Sequence, residues 1–224
     1  MPENCQCLAD IGTDHGYIPV ELLRRGRCRQ AIAADIGAAP LERARRTARL
    51  YGVEDGVSFR LGDGLAVLAP GEADVIVIAG MGGDNITEIL TAAPWSLDGP
   101  LLLLQPMSRA EVLRRWLWER GGRLLSEKLV QDKGVLYPIL EVRGSGGAPV
   151  PYTAADAWGG MDLERDPLWG TYLETVILRL RRAASGLARA RDPALAERRE
   201  GFVQISAELE KRKGAWTRAN CGRD

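Results

Sequence analysis

The segment Asp10-Ile11-Gly12-Thr13-Asp14-His15-Gly16-Tyr17 brings two carboxylates and two glycines together within a short stretch that follows an apolar run. Glycine lets a backbone turn sharply and pass close to a ligand, so Gly12 and Gly16 suit a strand-to-helix turn lying against a bound molecule. A tight connection with no ligand would have the same spacing. Ala33-Ala34-Asp35 sharpens the reading, because an acidic side chain at the end of a second strand can accept both ribose hydroxyls of a nucleoside. Leu61-Gly62-Asp63-Gly64 adds a carboxylate that can receive an exocyclic adenine amine, with glycines on either side that admit the ring. Asp63 could instead cap a helix. Taken together, a glycine turn or an acid follows each of three successive strands, on one edge of a sheet.

The ligand class follows from charge. A dinucleotide calls for G-x-G-x-x-G, so that its pyrophosphate rests on bare amides, whereas Asp14 and His15 occupy the interior of this turn. Asp14 would repel a pyrophosphate. With Asp10 it would suit the ammonium and sulfonium charges of S-adenosylmethionine, which makes methyl transfer the expected chemistry. A fourth apolar run leads into Ile78-Ala79-Gly80-Met81-Gly82-Gly83-Asp84, where small residues leave room for a flat base beside the donor's methyl group. No Asn-Pro-Pro-aromatic tetrapeptide occurs, so the usual scheme for methylating an exocyclic amine is missing. A ring nitrogen needs less help, since its in-plane lone pair is already nucleophilic. Alignment and exclusion of water would then carry catalysis without an obligatory general base, and Asp14 would be the polar partner of the acceptor's amine.

His15 is the sole histidine, and it could hold the loop as readily as take part in chemistry. Gln105-Pro106-Met107 closes a fifth run and could line the acceptor side or simply end a strand. Cys5, Cys7, Cys28 and Cys221 form no pair of C-x-x-C knuckles, so no metal site and reduced thiols are expected. Trp116 and Trp118, two apart, cannot share a helix face, and one of them is expected in the core.

These residues need a scaffold that gathers successive loops. Short apolar runs at Cys7–Ile11, Gln30–Asp35, Val57–Leu61, Ala73–Ala79 and Leu101–Gln105 alternate with helical stretches, the pattern of a parallel sheet covered on both faces. Gly122–Leu129 and Val135–Arg143 are separated too briefly for a crossover helix, so Asp132-Lys133-Gly134 should turn an antiparallel hairpin. The Gly- and Pro-rich stretch from Gly144 to Pro151 reads as a linker, giving domains 1–150 and 151–224. Beyond it Leu173, Ile177, Leu180, Ala184 and Leu187 form an apolar seam that Leu195, Phe202, Ile205 and Leu209 continue. Asp192 as N-cap and Pro193 as first helical residue start the second arm of this helical hairpin, each arm about 20 residues and roughly 30 Å long.

Composition sets outer bounds. A chain of 224 residues, 46% of them hydrophobic, has material for one ordinary core and a small appendage. It has no apolar run long enough to span a membrane and no signal-peptide pattern, so a cytoplasmic protein, monomeric, is expected. Net charge is zero, yet from Thr171 onward twelve basic residues face seven acidic ones. Such a basic appendage on an acidic body is compatible with phosphate contact, and equally with a solvated helix face.

The runs Asp10 to Tyr17, Gly62-Asp63-Gly64, Ile78 to Gly83 and Leu104-Gln105-Pro106-Met107 together resemble the bacterial tRNA (adenine-22-N1)-methyltransferase family. The resemblance covers the chain from about 8 to 143. It implies an α/β fold with a Rossmann-like class I methyltransferase sheet and a coiled-coil-like C-terminal helical hairpin, S-adenosylmethionine as donor, and N1 of an adenine in tRNA as acceptor. By motif it implies Asp10, Gly12, Asp14, His15, Asp35, Asp63, Gly64, Ala79 and Gly80 around the cofactor. Gly80, Met81, Gly82 and Gln105 would border the acceptor, with Asp14 and Tyr17 nearest the chemistry. Family members carry a helix before the first strand, whereas here Met1-Pro2-Glu3-Asn4 leads almost directly into it, so either a late start or loss of that helix is expected. Methylation of a small molecule, or RNA binding with a vestigial cofactor site, are the alternatives.

Overall fold

The computed structural model describes residues 5–144, 147–189 and 192–220. The chain forms two compact units, Met1–Ser126 with Ile139–Val150, and Glu127–Pro138 with Pro151–Asp224.

The first unit is built on strands β1 (Cys7–Ile11), β2 (Gln30–Asp35), β3 (Val57–Leu61), β4 (Val75–Gly82) and β5 (Leu101–Ser108), with β6 (Gly122–Asp132) and β7 (Val135–Gly144) completing a seven-stranded sheet. The sheet order is β3-β2-β1-β4-β5-β7-β6, with β1 to β5 parallel and β7 antiparallel to β5. Helices α1 (Tyr17–Arg24), α2 (Ala38–Leu50) and α3 (Gly83–Ala92) connect parallel strands, and α4 (Ala110–Glu119) leads from β5 to β6. Because side chains alternate along a strand, Ala9 and Ile11 pack with Ile76 and Ile78 in one layer while Leu8 packs with Val75 and Val77 in the other. Both faces are therefore apolar, as a parallel sheet requires. The order reverses between β1 and β4, and a crevice opens at the carboxyl ends of strands where such a reversal occurs.

Two expectations change. The fourth and fifth strands run on past Ala79 and Gln105: the β4/β5 register shifts at Ala79/Met81 and Met81/Gly82, and Gly80 takes a left-handed φ of 77°. This bulge keeps Met81 and Gly82 in the strand and re-aims their side-chain positions. Trp116 and Trp118 are both buried, at 7% and 2% exposure, because α4 is covered on more than one side, and Val150 N–H donates to the Trp118 carbonyl at 2.8 Å. The β6/β7 turn has Lys133 at φ 46° and Gly134 at φ 82°, the positive pair of a two-residue type I′ hairpin.

In the second unit α6 (Trp169–Gly186) and α7 (Pro193–Asn220) pack together, with a short α5 (Ala154–Gly159) before them. Leu173, Ile177, Leu180 and Ala184 are buried along α6 and Leu209 along α7, whereas Leu187, Leu195, Phe202 and Ile205 are half-buried. The Asp192 side chain accepts from Ala194 N–H at 2.9 Å, so α7 begins at Pro193 as its sequence indicates. At 28 residues α7 is about 42 Å long, well beyond the anticipated arm. Helix α5 was not anticipated. Thr153 and Asp156 form its capping box, and Asp156 also pairs with Arg212 at 2.7 Å. Leu129, from the distal half of the β6/β7 hairpin, packs in the core of this unit with Leu163, Trp169 and Leu173, and its N–H donates to Asp166 at 2.8 Å. Among the described residues no helix is long and apolar enough to cross a membrane.

Candidate functional site

Gly12 and Thr13 N–H both donate to the Ala34 carbonyl, at 2.8 and 3.0 Å, which fastens the end of β1 to the end of β2. Gly12 has φ 75°, and a methyl group in place of its hydrogen would collide with Met81 Cε. Conformation is what favours glycine there, since the end of the flexible Met81 side chain could move aside. On the next strand the Asp35 side chain accepts from Gly37 N–H at 2.8 Å, and its carbonyl receives Gly62 N–H at 3.0 Å. Asp63 stands at the N-cap of a 3-10 turn, Gly64–Val67, yet its side chain makes no capping hydrogen bond, and it is exposed. The capping alternative thus gives way, and the carboxylate remains available to a ligand.

These turns surround a cavity of about 610 Å³. Gly12, Asp35, Asp63, Gly64 and Met81 line it together with Ile11, Ala34 and Gly62. The far wall is one face of α3, where Asn85, Glu88, Ile89 and Ala92 recur at three- and four-residue intervals, with Trp95 beyond them. Ile36, 74% exposed, is a further wall residue. Sequence reasoning missed this wall. Its helical spacing and its place after β4 were signals, but Asn, Glu and Ala on a helix resemble any solvated face.

Among the described residues, those lining the cavity that carry charge are acidic: Asp35, Asp63 and Glu88. Such a lining favours a cationic or neutral guest and opposes phosphates. Behind the Gly12 turn Asp10 is 3% exposed and accepts the Thr13 hydroxyl at 2.7 Å. Burial pushes its pKa up to about 6, against the stabilising hydroxyl and with the aid of the Asp35 charge. Asp10 therefore shapes the turn from beneath and does not line the cavity.

The other expected site residues are not among those lining the cavity. Asp14, at a left-handed φ of 44°, is exposed and pairs with Arg43 and with His15, whose Nδ1 is 2.8 Å from Oδ2. The hydrogen bond from Arg43 is the main reason that the Asp14 carboxyl is held below its usual range. His15 stacks on Tyr17, which is 64% exposed, with centroids 5.4 Å apart. At the ends of β4 and β5, Gly80 N–H donates to Gln105 Oε1 at 2.9 Å, and Gln105 Nε2 reaches Met107 Sδ at 3.5 Å. Ala79 and Gly82 flank this junction within β4.

Residues 1–140 match the family described as "Methyltransferase domain". The chain is 37% identical over 159 residues to the tRNA (adenine(22)-N(1))-methyltransferase of Bacillus subtilis (strain 168), across 70% of this chain and 66% of that protein. The alignments with relatives from Mycoplasma pneumoniae and Mycoplasma genitalium span 61% and 62% of those proteins. Among solved structures, the B. subtilis M1A22 tRNA methyltransferase TrmK superposes with a TM-score of 0.75 at 28% identity, covering 97% of this chain and 92% of that one. Streptococcus pneumoniae Sp1610 in complex with S-adenosyl-L-methionine gives 0.78 at 28% identity, covering 93% and 92%. With the acid-lined crevice at the strand-order reversal and the domain match over more than half its length, the chain belongs to the methyltransferase family, and within it is similar to the tRNA (adenine(22)-N(1))-methyltransferases.

Proposed function

We infer that the chain transfers a methyl group from S-adenosylmethionine to N1 of an adenine in tRNA, and that it does so in the cytoplasm. The observation that carries the reading is the cavity at the end of β1, β2 and β3, where Asp35 and Asp63 stand among glycines and, among the described residues, no cation lines the wall. When bound, S-adenosylmethionine supplies an electrophilic methyl group on a positively charged sulfur. Asp35 would accept its ribose hydroxyls, Asp63 its adenine amine, and the carboxylates with Glu88 would offset its positive charge. Gly12, Gly62 and Gly64 let the backbone approach. Asp10 holds the turn through Thr13.

On the acceptor side, Gly80, Met81, Gly82 and Gln105 would border the base, with Tyr17 stacking and Asp14 accepting its exocyclic amine. Because the N1 lone pair of adenine lies in the ring plane and is already nucleophilic, no residue would have to remove a proton before N1 accepts the methyl group. The protein's share is alignment and exclusion of water. The basic arms of the second unit would contact tRNA phosphates.

The test is to incubate the protein with donor and a tRNA transcript and map the modified nucleotide, with Asp63→Ala titrated in parallel. A single N1-methylated adenine at position 22 is expected. Asp63→Ala should bind donor about 5- to 100-fold more weakly, as an adenine amine left without its acceptor in the bound state implies. Saturable donor binding without any tRNA methylation would point instead to a small-molecule acceptor, and no saturable binding to a vestigial site.

A further inference from the structure

The turn that begins at the cavity ends outside it, in a chain of four side chains that do not line it. Gly16 has φ 69°, and a Cβ on it would lie 2.9 Å from Ala44 Cβ and 3.1 Å from Ala44 Cα. Only glycine lets the turn lie this close on α2, and this seat brings Asp14 beside Arg43, the neighbour of Ala44. Arg43 Nε donates to Asp14 Oδ1 at 3.1 Å, and its Nη2 bonds the same oxygen. Asp14 Oδ2 in turn faces His15 Nδ1 at 2.8 Å. A carboxylate only accepts, so Nδ1 carries the proton and the imidazole plane is fixed by the carboxylate. That plane lies 3° from the Tyr17 ring, stacked at 5.4 Å.

Side-chain exposure of Arg43 and Asp14 is 43% and 55%. Ion pairs this open to solvent add little to stability, so the arrangement calls for another role. Orientation supplies one. Two nitrogens of the Arg43 fork converge on Asp14 Oδ1 while His15 Nδ1 meets Oδ2, so both carboxylate oxygens are held, which a single ammonium contact does less firmly, and Asp14 keeps lone pairs beyond those taken by Arg43 and His15.

We propose that Arg43 is a positioning residue for the acceptor base, setting Asp14 and, through His15, the ring of Tyr17. The proposal rests on the reading of Asp14 and Tyr17 as acceptor-side groups. It assigns to α2 a part in acceptor geometry that is separate from holding the donor.

The experiment combines single-turnover methylation of tRNA, titration of S-adenosylmethionine, and NMR of the imidazole C–H signals. The last is unambiguous because the chain has one histidine. Arg43→Ala should slow methyl transfer about ten- to hundredfold, keep donor affinity within about twofold, and shift the His15 signals as its stacking on Tyr17 loosens. Arg43→Lys, which keeps the charge on α2 but not the fork, should recover little of the rate. Unmoved His15 signals, an unchanged rate, a rate loss matched by an equal loss of donor affinity, or full recovery with lysine would each overturn the proposal. Should the parent protein methylate no tRNA, the proposed function fails by itself, and the imidazole signals still decide whether Arg43 sets the two rings.

Discussion

Asp10 and Asp63 are both acids at a strand's end, and the structure separates them by burial. Asp63 is exposed at the cavity, whereas Asp10 is enclosed beneath the Gly12 turn with a pKa near 6. An unfolded aspartate titrates near about 3.9. The folded protein therefore holds a proton on Asp10 that the unfolded chain has released, and the stability this contributes is present below about pH 4 and lost as pH rises through about 6, roughly 3 kcal/mol in all. Asp10→Asn should accordingly raise the melting temperature above about pH 6 and flatten its dependence on pH below that. Thermal melts across that range check it, and a parent-like slope in the variant would assign the titration to another group. The sequence marks Asp10 as an acid in a glycine turn. Only packing tells whether an acid faces the ligand or supports the loop that does, because type and spacing are the same in both cases.

At the scale of elements, β1, β2 and β3 and the turns after them are legible, since apolar runs, glycines and acids fall in a repeating order. The extension of β4 through Met81 and Gly82 is not, because a glycine after a strand reads as a stop and here forms a bulge. The α3 wall escapes for a related reason: its cavity face carries no residue type peculiar to catalysis. The helical arms illustrate how charge counted in sequence is redistributed by folding. Among the basic residues that follow Thr171, Arg179 lies over the Trp158 ring at 5.0 Å and Arg181 pairs with Glu210, while Arg191 lies outside the described residues. Arg182 and Arg189 are exposed, as is Arg199 on α7. Replacing Arg182, Arg189 and Arg199 by Ala should weaken tRNA binding and reduce the slope of log affinity against log salt by roughly 0.7 to 0.9 for each phosphate that is no longer neutralised. Donor titration should match the parent. Filter binding across a salt series would detect this, and an unaltered slope would remove these arginines from the interface.

Over the whole molecule, the linker after Gly144 suggests a single cut at 150, but the chain passes between its two compact units three times, after Ser126, Pro138 and Val150. A chain stopped after Val150 retains 127–138 without the partners that cover it. Leu129, 6% exposed, would lose Leu163, Trp169 and Leu173, and its N–H would lose Asp166. Such a fragment should associate and bind a hydrophobic dye, as light scattering and dye fluorescence would reveal; a monodisperse fragment that binds no dye would contradict this. The same threading bears on descent. An appendage joined only at a terminus can be acquired in one gene fusion, but one whose core includes an interior hairpin tip has to be inherited with the sheet that carries that tip, so the two units are expected to travel through genomes as a pair.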